Sequence, residues 1–119
     1  GDEVRSFEED FAKFNDSSHA IGVGNGTDAL HIALKALNIG FGDEVITTSH
    51  TAVATASAID SVGAKPIFVD VESKFFTIDP YQIEQVITSK TKAIIPVHIS
   101  GRSGNLLQIL RFAKKKKSI

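Results

Sequence analysis

The 119-residue sequence has no cysteine, no methionine and no tryptophan, and only three prolines and one tyrosine. Without cysteine there is no disulfide framework, no thiolate metal site and no cysteine nucleophile, and a reducing compartment is allowed. With no methionine anywhere and Gly1 in first place, the chain reads as a processed product or a piece of a longer protein. No apolar run approaches the ~20 residues of a membrane helix, and no charged-then-apolar signal segment opens the chain. Neither sign of charge dominates. Thirteen Lys and Arg against 14 Asp and Glu leave a net charge of -1, which gives no general attraction to nucleic acid or to anionic lipid. What is present is an ordinary globular mixture: 42% hydrophobic residues, 23% charged residues and a mean hydropathy of +0.04. A single domain of this length buries roughly two-thirds of its unfolded surface.

Hydrophobic spacing then divides the chain. Phe7, Phe11 and Phe14 recur at i, i+4 and i+7 among acidic residues, one apolar stripe on a short amphipathic helix. Residues 15–18 break it, and residues 19–23 read as a short buried strand that runs into Gly24-Asn25-Gly26. Thr27 and Asp28 are expected to cap a helix carrying Leu30, Ala33, Leu34 and Leu37, with Gly40 as its left-handed C-terminal stop. A second strand is expected from Glu44 to Thr47, followed by a helix of small residues from Ala52 to Val62, ended by Gly63. So many small side chains imply close backbone packing. The third strand is Pro66 to Val69. Asp79-Pro80, with Gln82 three residues after the cap, predicts a helix whose buried side is Ile83, Val86 and Ile87. The fourth strand spans 93–97, where Pro96 marks an end or an edge. A last helix starts near Asn105. Strands alternating with helices give an α/β fold, a parallel sheet covered on both faces.

In such sheets ligands bind beyond the carboxyl ends of the strands. Those places are Gly24 to Asp28, Thr47 to Thr51, Asp70 to Ser73 and His98 to Arg102. Gly24-Asn25-Gly26-Thr27 is the informative one. A glycine turn into a helix start presents free N–H groups and the positive end of the helix dipole, and Thr27 adds a hydroxyl, so the segment suits a phosphate. Asp28 fits only with its carboxylate turned away. The same glycines also serve an ordinary tight turn, and the two readings stand side by side. A dinucleotide fold is disfavoured, because the acid wanted at the end of the second strand is missing. His19 and His31 have no metal-ligand spacing, and His50 and His98 at strand ends are equally site or structural residues; no metal is expected. Lys114 to Lys117 are read as a solvated helix end that complements the dipole rather than a polyanion patch.

Several blocks together resemble the DegT/DnrJ/EryC1/StrS aminotransferases: Gly24-Asn25-Gly26-Thr27-Asp28-Ala29-Leu30, Gly40-Phe41-Gly42-Asp43-Glu44-Val45-Ile46, residues 54–59, residues 63–71 and residues 91–98. The resemblance implies a three-layer α/β/α, mostly parallel, aspartate aminotransferase-like (type I) large domain, of which residues 1–119 are a part truncated at both ends. It implies pyridoxal 5'-phosphate as cofactor and transfer of an amino group, usually from glutamate, to a keto nucleotide-sugar in amino-sugar or surface-polysaccharide biosynthesis. Gly26, Thr27 and Asp28 fall where the family holds the cofactor phosphate, chiefly through backbone N–H groups. Position 52, where many members stack an aromatic ring on the pyridine, is Ala52, so His50 or another group covers the ring, or the stacking is lost. Asn105 and Leu106 replace the family's Asp-Met, and Asp2 replaces a proline. The acid that pairs with the pyridine nitrogen is expected in a Glu-Asp-Ala segment just after Ile119. The Schiff-base lysine lies much further on, and no lysine here has its context. The resemblance therefore implies no catalytic residue in this chain, no amino transfer by it alone and an active intact parent. It also implies a cytoplasmic homodimer without nucleic-acid or membrane partners, in which Phe7, Phe11 and Phe14 meet either the partner or their own chain. The alternative is a non-catalytic phosphate-ligand binding or assembly module.

Overall fold

The computed structural model describes residues 1–115, and side chains through Lys114. Its elements in chain order are α1 (Asp2–Phe14), α2 (Gly26–Ala36), β1 (Glu44–Thr48), α3 (Val53–Ser61), β2 (Lys65–Val69), α4 (Pro80–Val86), β3 (Thr91–Ile94), a short 3-10 turn (Ile99–Gly101) and α5 (Leu106–Lys115). The three strands form one parallel sheet in the order β2-β1-β3. Mixed α/β architecture with a parallel sheet is what the alternation of patterns predicted.

Because successive strand residues face opposite ways, β1 feeds two cores. Val45 turns to one face, where Leu34 of α2 and Ala58 and Ile59 of α3 close over it. Ile46 turns to the other, against Ile83 of α4, Ile109 of α5 and Ile78. Val45, Ile46, Ile59, Ile78 and Ile83 are fully buried, and each such side chain contributes about 1.5–3 kcal/mol by its removal from water. The sheet is thus covered on both sides, the arrangement parallel strands require.

Local signals explain most boundaries. Asp79 caps α4 by accepting from the Tyr81 N–H at 2.9 Å, with Pro80 at the first position. Gly63 takes φ +82 and ends α3, its N–H on the Asp60 carbonyl and the Ala64 N–H on the Ile59 carbonyl. The small residues of α3 let it lie against α2, where the His31 Nδ1 meets the Ser61 hydroxyl at 2.6 Å. Ser61 itself donates to the Ala58 carbonyl, so the ring nitrogen is the donor of that contact.

Four expectations are corrected. Residues 19–23 form no ladder; they run as irregular extended backbone beside α1, held where the Gly22 N–H meets the Glu8 carboxylate. Among the described residues no strand lies beside them, and an unpaired segment has no sheet to join. The cap of α2 is Asn25, not Thr27 or Asp28. The left-handed stop of α2 is Asn38 at φ 56, with the Ile39 N–H reaching back to the Leu34 carbonyl, and Gly40 is not left-handed. β3 ends at Ile94, before Pro96, so that strand is shorter than expected. Gln82 uses its carbonyl on the Asp70 N–H more closely than its amide on Asp79. Lys114 is exposed; Lys116 and Lys117 lie outside the described residues.

Candidate functional site

The ends of α2 and α3 meet at the amino edge of the sheet. A Cβ on Gly40 would stand 3.6 Å from the Val62 carbonyl, and one on Gly63 would stand 3.5 Å from the Phe41 nitrogen. With their carboxyl ends together there, the starts of both helices lie at the opposite edge, beyond the carboxyl ends of the strands. That geometry brings Gly26, Thr27 and Asp28 to the same edge as His50 and Ala52.

At the start of α2 the backbone is prepared for an anion in part. Asn25 is extended (φ -166, ψ 177), and its side-chain oxygen accepts from the Asp28 N–H at 2.9 Å. The Asn25 amide nitrogen donates to Asp28 Oδ2 at 3.0 Å. This reciprocal pair fixes the first turn and holds the carboxylate toward Gly24, where an added Cβ would lie 2.7 Å from Oδ2. A side chain at Gly24 would require this carboxylate to move. The N–H groups of Gly26 and Thr27 and the Thr27 hydroxyl make no hydrogen bond with other described residues. A Cβ on Gly26 would meet nothing within 4 Å, so the space on its side-chain side is open. Two amides and one hydroxyl stand free at a helix start, whose dipole favours negative charge. The third expected donor, Asp28 N–H, is occupied by Asn25.

The loop after β1 forms the second part of this edge. The Thr48 hydroxyl accepts from the His50 N–H at 3.3 Å, and the Thr51 and Thr55 hydroxyls lie 2.8 Å apart across the start of α3. Ala52 is the exposed residue before α3, with no side-chain cap. The His50 ring is exposed and makes no hydrogen bond with described residues. A methyl group at position 52 offers no π face. His98 stands elsewhere in role: its Nδ1 accepts from the Gly104 N–H at 3.3 Å, closing the loop after β3. Among the described residues no group of His, Asp and Glu could hold a metal.

Sequence reasoning missed Asn25. The signal was available, since Asn followed three residues later by Asp imitates the capping-box pattern.

The model of the DegT/DnrJ/EryC1/StrS aminotransferase family matches residues 1–118. The chain belongs to this family. The pleiotropic regulatory protein of Geobacillus stearothermophilus is 51% identical over 97% of the chain, which covers 31% of that relative. The dTDP-3-amino-3,4,6-trideoxy-alpha-D-glucose transaminase of Micromonospora megalomicea subsp. nigra is 39% identical over 98% of the chain, again 31% of the relative. The X-ray structure of the aminotransferase from Psychrobacter cryohalolentis superimposes with a TM-score of 0.95 at 45% identity, covering 98% of this chain and 30% of that one. The chain thus spans about a third of the length of these relatives. Its fold is part of the aspartate aminotransferase-like fold of pyridoxal-phosphate aminotransferases. The family's aminotransferases depend on pyridoxal phosphate.

Proposed function

We propose that the chain supplies the cofactor-phosphate cradle of a pyridoxal-phosphate-dependent aminotransferase that acts on a keto nucleotide-sugar. Residues 1–119 then correspond to the amino-terminal part of the large domain. The observation that carries this reading is the pair of free N–H groups at Gly26 and Thr27, beside a free Thr27 hydroxyl, in a family member.

The residues present fit the phosphate end of the cofactor. Gly26 and Thr27 donate through the backbone, Thr27 donates again through its hydroxyl, and the helix dipole adds attraction. The Asn25 amide takes up the nearby Asp28 carboxylate, which would otherwise repel a phosphate. Asp28 contributes its own N–H only when Asn25 releases it. Ala52 offers no ring to the pyridine, so His50 or another group would cover it, or the stacking would be lost. When bound, pyridoxal phosphate supplies the electron sink for amino transfer. This chain binds and orients; the lysine that moves the proton belongs to a context absent from its sequence. The intact form of this reading is a cytoplasmic homodimer using a nucleotide-sugar and an amino donor, and no helix among the described residues is long and apolar enough to cross a membrane.

Titration with pyridoxal phosphate, followed by absorption and fluorescence, tests the cradle against pyridoxal without the phosphate. Binding by the phosphorylated form alone, weakened about tenfold in Thr27→Val by loss of one hydrogen bond to a charged group, is the expected result. Equal binding of both compounds, or binding untouched by Thr27→Val, overturns it. Equal affinity for unrelated phosphate esters favours a general phosphate-binding module instead.

A further inference from the structure

Of the asparagines at positions 15, 25, 38 and 105, only Asn25 precedes a glycine. The others are followed by Asp16, Ile39 and Leu106, whose side chains crowd the next peptide nitrogen. Gly26 has no side chain to do so, and the space where its Cβ would stand is empty to 4 Å. Its N–H has no hydrogen-bond partner among the described residues, and Asn25 is exposed to solvent. An exposed side-chain amide thus stands beside a free, unhindered nitrogen, placed in the chain to close a five-membered ring.

What opposes that ring closure is the cap. Asn25 Oδ1 accepts from the Asp28 N–H at 2.9 Å, and Nδ2 donates to Asp28 Oδ2 at 3.0 Å. Both bonds go to one residue in the first turn of α2, and helix ends fray. Upstream, residues 19–23 belong to no ladder, so no sheet holds the cap in place. Opening it takes a local event, not the loss of either core.

We propose that Asn25-Gly26 is a site of spontaneous deamidation in the folded chain, with water as the co-reactant. The Gly26 nitrogen gives its proton to hydroxide and attacks Asn25 Cγ. The new C–N bond forms, the Cγ–Nδ2 bond breaks, and Nδ2 leaves as ammonia with a proton taken from water. Water then opens the cyclic imide at either carbonyl, which yields aspartate or isoaspartate. Either product loses the Nδ2 donor and sets a second carboxylate near Asp28. Aspartate can still cap the Asp28 N–H; isoaspartate lengthens the backbone just ahead of the Gly26 N–H. The conversion itself does not depend on the phosphate cradle. Its effect on phosphate binding rests on that reading, and there it adds negative charge beside the anion.

The test incubates the full chain at mildly alkaline pH, with the fold followed by circular dichroism, and reads each asparagine by peptide mapping. Conversion at Asn25, with isoaspartate among the products, is the expected result. It is largely lost in Gly26→Ala, a change that the open space at Gly26 accommodates. Conversion untouched by Gly26→Ala overturns the proposal. So does an Asn25 that survives in the folded chain while a free peptide of residues 20–30 is converted, because the cap then blocks the reaction. Ile46→Val separates local opening from global unfolding. A rate unchanged in that variant supports the proposal, and a rate that rises in proportion to its loss of global stability assigns the reaction to the unfolded chain and overturns it. Pyridoxal phosphate binding is then compared in the intact chain, the converted chain and Asn25→Asp. Binding about tenfold weaker in both altered forms is expected from the added charge, and equal binding by all three overturns that effect. Conversion in a chain that binds no pyridoxal phosphate rejects the cradle and leaves the modification site standing.

Discussion

At the scale of single residues, Asn25 does two things at once. It caps α2 through its carbonyl and restrains Asp28 through its amide. Asn25→Ala therefore costs about 1 kcal/mol of stability, the usual worth of such a cap, measured as a lower urea midpoint with unchanged slope. The same substitution frees the Asp28 N–H but also frees its carboxylate, so affinity for pyridoxal phosphate falls rather than rises, a change that the absorption titration reads directly. Gly63 is a simpler case. At φ +82 a side chain is strained, and Gly63→Ala destabilises by about 1–2 kcal/mol, seen as a lowered midpoint in thermal unfolding. Gly24→Ala acts through contact instead: the new methyl displaces the Asp28 carboxylate from its Asn25 partner.

At the scale of elements, β1 carries most of the consequence. Ile46 is fully buried between β2, β3, α4 and α5, so Ile46→Ala costs about 2–5 kcal/mol, measured by chemical denaturation. The helices were legible because each had punctuation of its own: Asp79-Pro80 before α4, Gly63 after α3, Asn105 before α5. The buried sides were legible too, since Ile83, Val86 and Ile87 repeat at helical spacing and all enter one core. Residues 19–23 were not, because apolar alternation reports what a segment can bury, not whether a neighbour exists to pair with it. Residues 95–97 failed for a related reason. They continue the apolar run, but Pro96 removes a donor, and the ladder closes with the Ile95 N–H. At the proposed phosphate cradle, glycines and threonine pointed to the start of α2. The partner of the third amide was hidden in a side-chain choice that spacing alone does not decide.

At the scale of the whole molecule, the chain spans about a third of the length of its relatives, and the expected chemistry follows from the residues it carries. Incubation with glutamate, pyridoxal phosphate and a keto nucleotide-sugar gives no amino sugar by mass spectrometry, and borohydride traps no single lysine adduct in stoichiometric yield. Phe7, Phe11 and Phe14 are 63%, 49% and 87% exposed on α1, and α1 lines one cleft with the extended segment that follows it. The order of the strands has a further result, in time rather than in space. β1 is central, yet both of its neighbours are made after it, β2 from Lys65 and β3 from Thr91. At about 5–20 residues per second of synthesis, the central strand waits for seconds on the ribosome before its second flank emerges. The second flank of this sheet is therefore laid down last, and a nascent chain paused before Thr91 carries β1 with one edge unpaired.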